Sequence, residues 1–306
     1  AVPLIWEVFS GTAGLIAAFV AMGWATARPI DVCLDTSFNL LNPLFLAIVV
    51  GIISEGRVLL LHLAPPCSSF SVALNSAAAS AVRSIEFPSG LKGLPQYKQE
   101  KVRLGNALAD VMVTLASAQA RIGRPVQFEQ PCRSLMLHYP PVTAMMREFG
   151  FEAYQRDACV DGAPWRKPLL ILTPTVKVGL ALSATCPGGH EHIMLRGPAP
   201  QGIPWTRVAA PYWPAWCRSI VRAWDPALRQ ELDDQAWKQA GRPSLLLNQS
   251  TAMDVASQES SFQPSRHRSS DQLAAVVSTG RQPGRGALPQ LLPDGFPPGV
   301  HLRAAL

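Results

Sequence analysis

The sequence is short of charge, short of cysteine and without an apolar run long enough for a bilayer, and each shortage removes a class of protein. Only 16% of its 306 residues are Asp, Glu, Lys or Arg, against 48% apolar ones. That balance excludes a wholly disordered or fibrous chain and describes a globular core with something looser attached. The longest largely apolar run, Leu40 to Ile53, has 14 residues and carries Pro43, whereas a span needs about 20 uninterrupted ones. No membrane partner is therefore expected. Six cysteines, at positions 33, 67, 132, 159, 186 and 217, are too few and too scattered for a secreted disulfide framework. They leave free thiols, a metal site or a catalytic thiol as readings. The stretch Ala1 to Glu7 has no initiator Met and no basic segment followed by an apolar one. It reads as the edge of a fragment rather than a signal peptide, and the expected compartment is intracellular, nuclear if the source is eukaryotic. There is no internal repeat.

A modest excess of positive charge is present. The net charge is +6 and the isoelectric point near 9.2, which favours an acidic partner such as nucleic acid. From Trp6 to about Trp237, short β-rich runs alternate with longer helical ones. Glu7-Val8-Phe9, Val58 to Leu63, Pro125 to Phe128 and Leu169 to Leu172 read as strands; Ala13 to Trp24 and Lys101 to Arg121 read as helices. Near-continuous apolar strands separated by helices predict an α/β, doubly wound, mostly parallel sheet covered on both faces. The domain is expected over residues 1–237. Residues 238–306, rich in Ser, Gln, Pro, Gly and Arg without apolar periodicity, are expected to be a disordered tail.

Four segments carry chemistry. Phe9-Ser10-Gly11-Thr12-Ala13-Gly14 lies between a strand and a helix, where glycines let backbone approach a ligand and a helix N-terminus offers free N–H groups. Asp31, seventeen positions after Gly14, sits where a second strand could end and where an acid would accept the two ribose hydroxyls of an adenosine cofactor. A plain structural turn is the other reading. In Pro65-Pro66-Cys67-Ser68 two fixed φ angles stiffen a loop and hold a thiol at the sheet edge where ligands of open α/β folds bind; otherwise Cys67 is a small buried hydrophobe. In Val126 to Pro131, Glu129 follows an apolar strand, where desolvation would raise its pKa and make it an acid near neutral pH; such a residue is also often a cap or a salt-bridge partner. Gly162 to Pro168 sets Arg166 and Lys167 beside Trp165, as a cationic site or as a solvated turn.

Taken in order, these four segments resemble the cytosine-5 DNA methyltransferases. In that family a Phe-x-Gly-x-Gly-Gly turn, a Pro-Cys loop, a Glu-Asn-Val strand end and a Gly-x-Pro-Gln-x-Arg-x-Arg segment follow one another. The resemblance covers about Glu7 to Asp225, and the stretches His62 to Ser71, Gly162 to Pro168 and Gly188 to Gly197 look like a divergent branch. It implies a Rossmann-like methyltransferase fold in which Phe9, Gly11, Gly14 and Pro65 hold S-adenosylmethionine, with Asp31 on its ribose and Asp35 near its adenine. It further implies Cys67 as nucleophile, Glu129 as acid and Arg166 or Lys167 as the cationic partner, acting on DNA. Departures from the family pattern are Glu7 for Asp, Ala13 for the middle glycine, Ser68 for Gln, Gln130-Pro131 for Asn-Val and Trp165 for Gln. Only about 38 residues, Pro168 to Trp205, are left for a recognition insert (168–205), so phosphate contacts rather than base reading are expected to dominate binding.

A last cluster, Cys186-Pro187-Gly188-Gly189-His190-Glu191-His192, with Cys159 upstream and Cys217 downstream, offers soft and borderline ligands for a structural zinc; an ordinary polar loop is the alternative. Three rivals to DNA methylation stand beside it. One is a non-catalytic nucleic-acid-binding relic, another an enzyme acting on cytosine in RNA. The third, a Rossmann oxidoreductase, leaves Pro65-Pro66-Cys67 and Glu129 without a role.

Overall fold

Every residue of Val58–Leu63 is buried, as a strand covered on both faces requires. A computed structural model describes residues 3–233, so the tail expected at 238–306 lies outside the described residues. In chain order the elements are β1 (Leu4–Val8), α1 (Gly14–Ala21), α2 (Pro43–Ser54), β2 (Val58–Leu63), α3 (Val72–Asn75), α4 (Gln96–Arg121) and β3 (Val126–Pro131). They continue with α5 (Pro140–Phe149), β4 (Glu152–Asp157), β5 (Pro168–Thr173), α6 (Val176–Leu182), α7 (Trp205–Val208) and α8 (Pro214–Asp233).

The protein is α/β, with a five-stranded mixed sheet in the order β1-β2-β3-β5-β4. β1, β2 and β3 are mutually parallel, while β5 runs antiparallel to both its neighbours. Two apolar clusters sit on opposite faces. Trp6, Val8, Leu61, Leu63, Val126 and Phe128 point towards α2, α4 and α5. Ile5, Leu59, Leu60, Leu169 and Ile171 point towards α1, α6 and α8. β1, β2 and β5 each feed both clusters, which puts helices on both sides. The alternation slips once, at the neighbours Leu59 and Leu60 opposite the register shift between Leu4 and Ile5.

Local chemistry fixes the helix ends. Asn42 accepts hydrogen bonds from the Leu44 and Phe45 N–H groups ahead of Pro43, an N-cap followed by proline at the first helical position. Gly150, at φ 69°, closes α5 in the left-handed conformation.

Four expectations are corrected. The sheet is parallel only in its first three strands. β4 is a strand that the sequence pattern hid, because an edge strand with an exposed start need not be apolar. The strand expected before Asp31 is reduced to two isolated parallel bridges, Ile5 to Thr26 and Val8 to Ile30. The 168–205 insert surrenders β5 to the sheet and α6 to the α8 side, leaving residues 183–204 outside those elements. That remainder contributes Ala199 to a small separate core made with Ala158, Ala163, Trp165, Val208 and Ala209 from the flanking segments. Trp165 packs edge-on against Trp213 at 5.8 Å between ring centres, so its replacement of a polar residue has a packing reason. No helix among the described residues is long and apolar enough to cross a membrane.

Candidate active site

The parallel strands β1, β2 and β3 end at one edge of the sheet, and the chain leaves each there in a loop that carries a singled-out residue. Val8 pairs with Leu63 and Leu63 with Phe128, so the turn after Val8, the loop after Leu63 and Glu129 emerge side by side. Because β5 is reversed, it delivers its first residues to that same edge: Pro131 pairs with Leu169 and Glu129 with Ile171. A parallel strand would have sent Lys167 to the far side.

The Pro-Cys loop is pinned along its length. The Ala64 N–H donates to the Val8 carbonyl at 3.1 Å. Gln130 donates to the Pro65 carbonyl at 3.0 Å and accepts from the Ser134 hydroxyl at 2.8 Å. Gln130, which stands where the resembled family has Asn, thus ties the loop to β3. Beyond Cys67, the buried Arg83 donates to Ser69 at 3.0 Å and to the Val102 carbonyl at 3.0 Å, and lies 3.6 Å over the Phe70 ring. A side chain on Gly105 would stand 2.1 Å from the Ser69 hydroxyl, so bare backbone of α4 is what admits this arrangement.

Cys67, Glu129 and Lys167 act on one another electrostatically. Burial pushes the Cys67 thiol up to about 11; the Glu129 charge adds to this and the Lys167 ammonium opposes it. Burial also raises the Glu129 carboxyl, against the pull of Lys167 and of a hydrogen bond from Tyr212. Lys167 is lowered by burial and supported by Glu129 and Cys67. One cation therefore faces two acids, and the desolvation of all three favours sharing a single negative charge. Lys167 is held by donating to the Ala209 carbonyl, from a backbone at φ 29°. Arg166 goes elsewhere: its guanidinium is half exposed and donates to Asp157 at 2.8 Å. Of the two expected cations, Lys167 is the one in the site.

Four further residues join Glu129 that sequence reasoning missed. Trp224 donates to the Gln127 side-chain oxygen at 2.7 Å, and an indole can only donate. The Gln127 amide nitrogen therefore faces His62 Nδ1, 2.9 Å away, and donates to it. His62 is buried and its pKa is lowered to about 3, so the ring is neutral, with its hydrogen on Nε2. That hydrogen goes to the Tyr212 oxygen at 3.1 Å, and the Tyr212 hydroxyl donates to Glu129 Oε2 at 3.2 Å. The series runs one way, from a donor-only indole to a carboxyl. Glu129 Oε1 is buried without a hydrogen-bond partner among the described residues. The available signal was a polar residue inside an apolar strand: His62 in Val58–Leu63 and Gln127 beside Phe128.

The turn after β1 has the backbone of a ligand cradle. Phe9 and Ala13 both adopt left-handed conformations, at φ 59° and 58°, and Gly11 does so at 55° with open space where a Cβ would be. Ala13 occupies a position where glycine would be unstrained. As N-cap of α1 it offers no side-chain hydrogen bond, and Glu7 substitutes from below, accepting from the Ile16 N–H at 2.9 Å. Burial, with the Asp31 charge as a smaller contribution, lifts the Glu7 carboxyl to about 8. Asp31 closes the cradle, accepting from the Gly11 N–H at 2.9 Å and the Cys33 N–H at 2.7 Å. Each carboxylate oxygen keeps lone-pair capacity for a diol, so the residues fit an adenosine cofactor. Gly14 lies under α8, where an added Cβ would be 3.7 Å from the Cys217 sulfur. Asp35 does not share the cradle's hydrogen bonds: its carboxylate is engaged by Ser37 and Arg28, and the Ser37 hydrogen bonds hold it below the usual range.

Cys159, Cys186, His190 and His192 come together in one cluster, whereas Cys217 is buried in the α1 and α8 core, away from them. No protein-family model and no curated protein matches the chain.

Proposed function

We propose that the protein transfers a methyl group from S-adenosylmethionine to C5 of cytosine in DNA through a covalent adduct at Cys67. One observation carries this reading. A thiol, a carboxyl and an ammonium from widely separated parts of the chain leave the same edge of the sheet, within electrostatic reach of one another, beside a Gly-rich turn closed by Asp31. The excess of Lys and Arg supports a nucleic acid as the partner.

Phe9, Gly11, Gly14, Asp31 and Pro65 would hold S-adenosylmethionine, which supplies an electrophilic methyl group when bound. The chain's own residues make C5 reactive. A proton passing from the Cys67 thiol to the Glu129 carboxylate gives a thiolate and a neutral acid, with Lys167 beside the thiolate. The sulfur adds to C6 while Glu129 gives the proton to N3, and the resulting enamine places electron density on C5. Once C5 is substituted, water takes up its proton, the C5–C6 double bond re-forms as the C6–S bond breaks and the thiolate leaves, and the N3 proton returns to Glu129. Tyr212 occupies Oε2, so the proton in transit sits on Oε1.

The resting thiol, pushed to about 11, is the observation that favours the second reading, a non-catalytic nucleic-acid-binding relic. Incubation with labelled S-adenosylmethionine and cytosine-containing DNA or RNA, followed by nucleoside analysis, separates these. Labelled 5-methylcytosine from DNA supports the proposal; none from either polymer supports the relic, and label in RNA alone moves the substrate.

A further inference from the structure

The insert gathers four donors that the proposed methyl transfer does not use. Cys159 lies in the helical turn Ala158–Asp161 after β4, and Cys186, His190 and His192 lie in the loop that follows α6. Their donor atoms are all within 4.8 Å of one another. Cys186 Sγ stands 3.7 Å from His190 Nε2 and 3.5 Å from His192 Nε2. A tetrahedral ion bonded at about 2.3 Å to sulfur and about 2.0 Å to nitrogen spaces its ligands about 3.3 to 3.8 Å apart. These two separations already have that length.

The surroundings orient the donors as metal ligands. His190 Nδ1 is 3.1 Å from the Gly188 carbonyl, and a ring nitrogen facing a carbonyl carries the hydrogen, which leaves the lone pair on Nε2. The Gly188 N–H donates to Cys186 Sγ at 3.4 Å, as backbone does to a thiolate. The loop is fixed from outside as well: the Cys186 N–H donates to Asp157 at 2.9 Å and the Ile193 N–H to the Pro164 carbonyl at 2.8 Å.

We propose that Cys159, Cys186, His190 and His192 bind one zinc ion in a closed, structural site. Two thiolates neutralise the ion and two imidazoles complete the tetrahedron; this donor set and geometry select zinc among the common divalent ions. The ion clamps the 183–204 loop onto the turn that leads into β5. That turn is itself bonded to the site, since the Ala158 N–H donates to the Arg166 carbonyl at 2.7 Å, next to Lys167. The clamp thus holds the insert against the segment that presents Lys167. The inference does not depend on methyl transfer.

The test uses the full, untagged chain expressed with zinc and purified without chelator. Elemental analysis should give one zinc per chain, and exchange for Co2+ should give the intense visible bands of a tetrahedral thiolate site. Cys186→Ser and His192→Asn should each lower the zinc content to about a tenth or less, while Cys33→Ser, at an exposed thiol outside the cluster, should leave it unchanged. Should the ligand variants fail to fold, mercurial titration of wild type decides, by releasing one zinc per chain into a colorimetric chelator. Chelation should also speed proteolysis at Gly188-Gly189, with zinc reversing it. A folded chain that holds no stoichiometric zinc and takes up no cobalt overturns the proposal. So does a Cys159–Cys186 disulfide mapped in protein never exposed to oxidant.

Discussion

Tyr212 donates its hydroxyl hydrogen to Glu129 across 3.2 Å, and the direction of that bond is set three residues away by the indole of Trp224. The carboxyl is thereby made asymmetric, with one oxygen satisfied and the other buried without a partner among the described residues. Tyr212 is a positioning residue. Its hydrogen bond holds the Glu129 pKa down against burial, so Tyr212→Phe should raise that pKa and move the alkaline limb of the kcat profile to higher pH by about one unit, the worth of one hydrogen bond to a charged group. A limb that stays put while melting temperature falls would reduce Tyr212 to packing.

Cys67→Ser should abolish methyl transfer while changing S-adenosylmethionine affinity by no more than a few-fold. The hydroxyl is a far weaker nucleophile than the thiolate, and apart from Pro65, whose backbone the substitution leaves in place, the cofactor residues belong to other segments. Retained turnover in this variant, measured with label, would remove Cys67 from the reaction.

Glu129→Gln should slow the chemical step about 100-fold or more, the usual contribution of a positioned acid. The amide still fills the space and still accepts from Tyr212, yet has no proton to deliver. Single-turnover kinetics is the measurement, and an unchanged rate would assign N3 protonation to another group.

Glu7 makes a prediction about stability. Its carboxyl is raised from 4.5 to about 8 in the folded protein, so folding takes up a proton between those values. The stability contributed by the neutral form is complete below the lower value and is lost as pH climbs through the upper one, at about 1.4 kcal/mol per pH unit. Glu7→Gln keeps an acceptor for the Ile16 N–H and cannot ionise. Denaturant unfolding should therefore show the variant gaining on wild type from pH 5 to about 8 and levelling off above that, by a few kcal/mol in total. His62, lowered to about 3, costs stability as pH falls below its ordinary range, but it does so in both proteins and cancels in the difference. Parallel profiles would mean that Glu7 is not buried as a neutral acid.

Much of the layout was legible because strands covered on both faces are apolar throughout: Val58–Leu63 falls where the sequence puts it. β4 was not legible, since its Glu-Ala-Tyr-Gln-Arg-Asp sequence faces solvent at its start. At the site, Cys67 and Glu129 are marked by their own loops and strand ends. The choice of Lys167 over Arg166 was not readable, because it follows from the reversal of β5 and from Asp157 capturing the guanidinium. His62 and Tyr212 are 150 residues apart, a pairing that only packing of the segment before α8 on the sheet creates. The local engagement of the Asp35 carboxylate by Ser37 and Arg28 was not readable either, because it depends on how the turn after Asp31 closes.

The anchoring of the loop that bears Cys67, by Val8 and Gln130 on one side and Arg83 on the other, makes the sulfur a stationary landmark. Reagents must travel to it, and the passage rather than any opening of the loop decides which arrive. Cys67 should therefore behave as a gauge of molecular size: small flat alkylators reach it in proportion to their intrinsic reactivity, and bulky maleimides lag far behind their rate at the exposed Cys33. Loosening Arg83, a buried cation behind the loop, should erase that discrimination first.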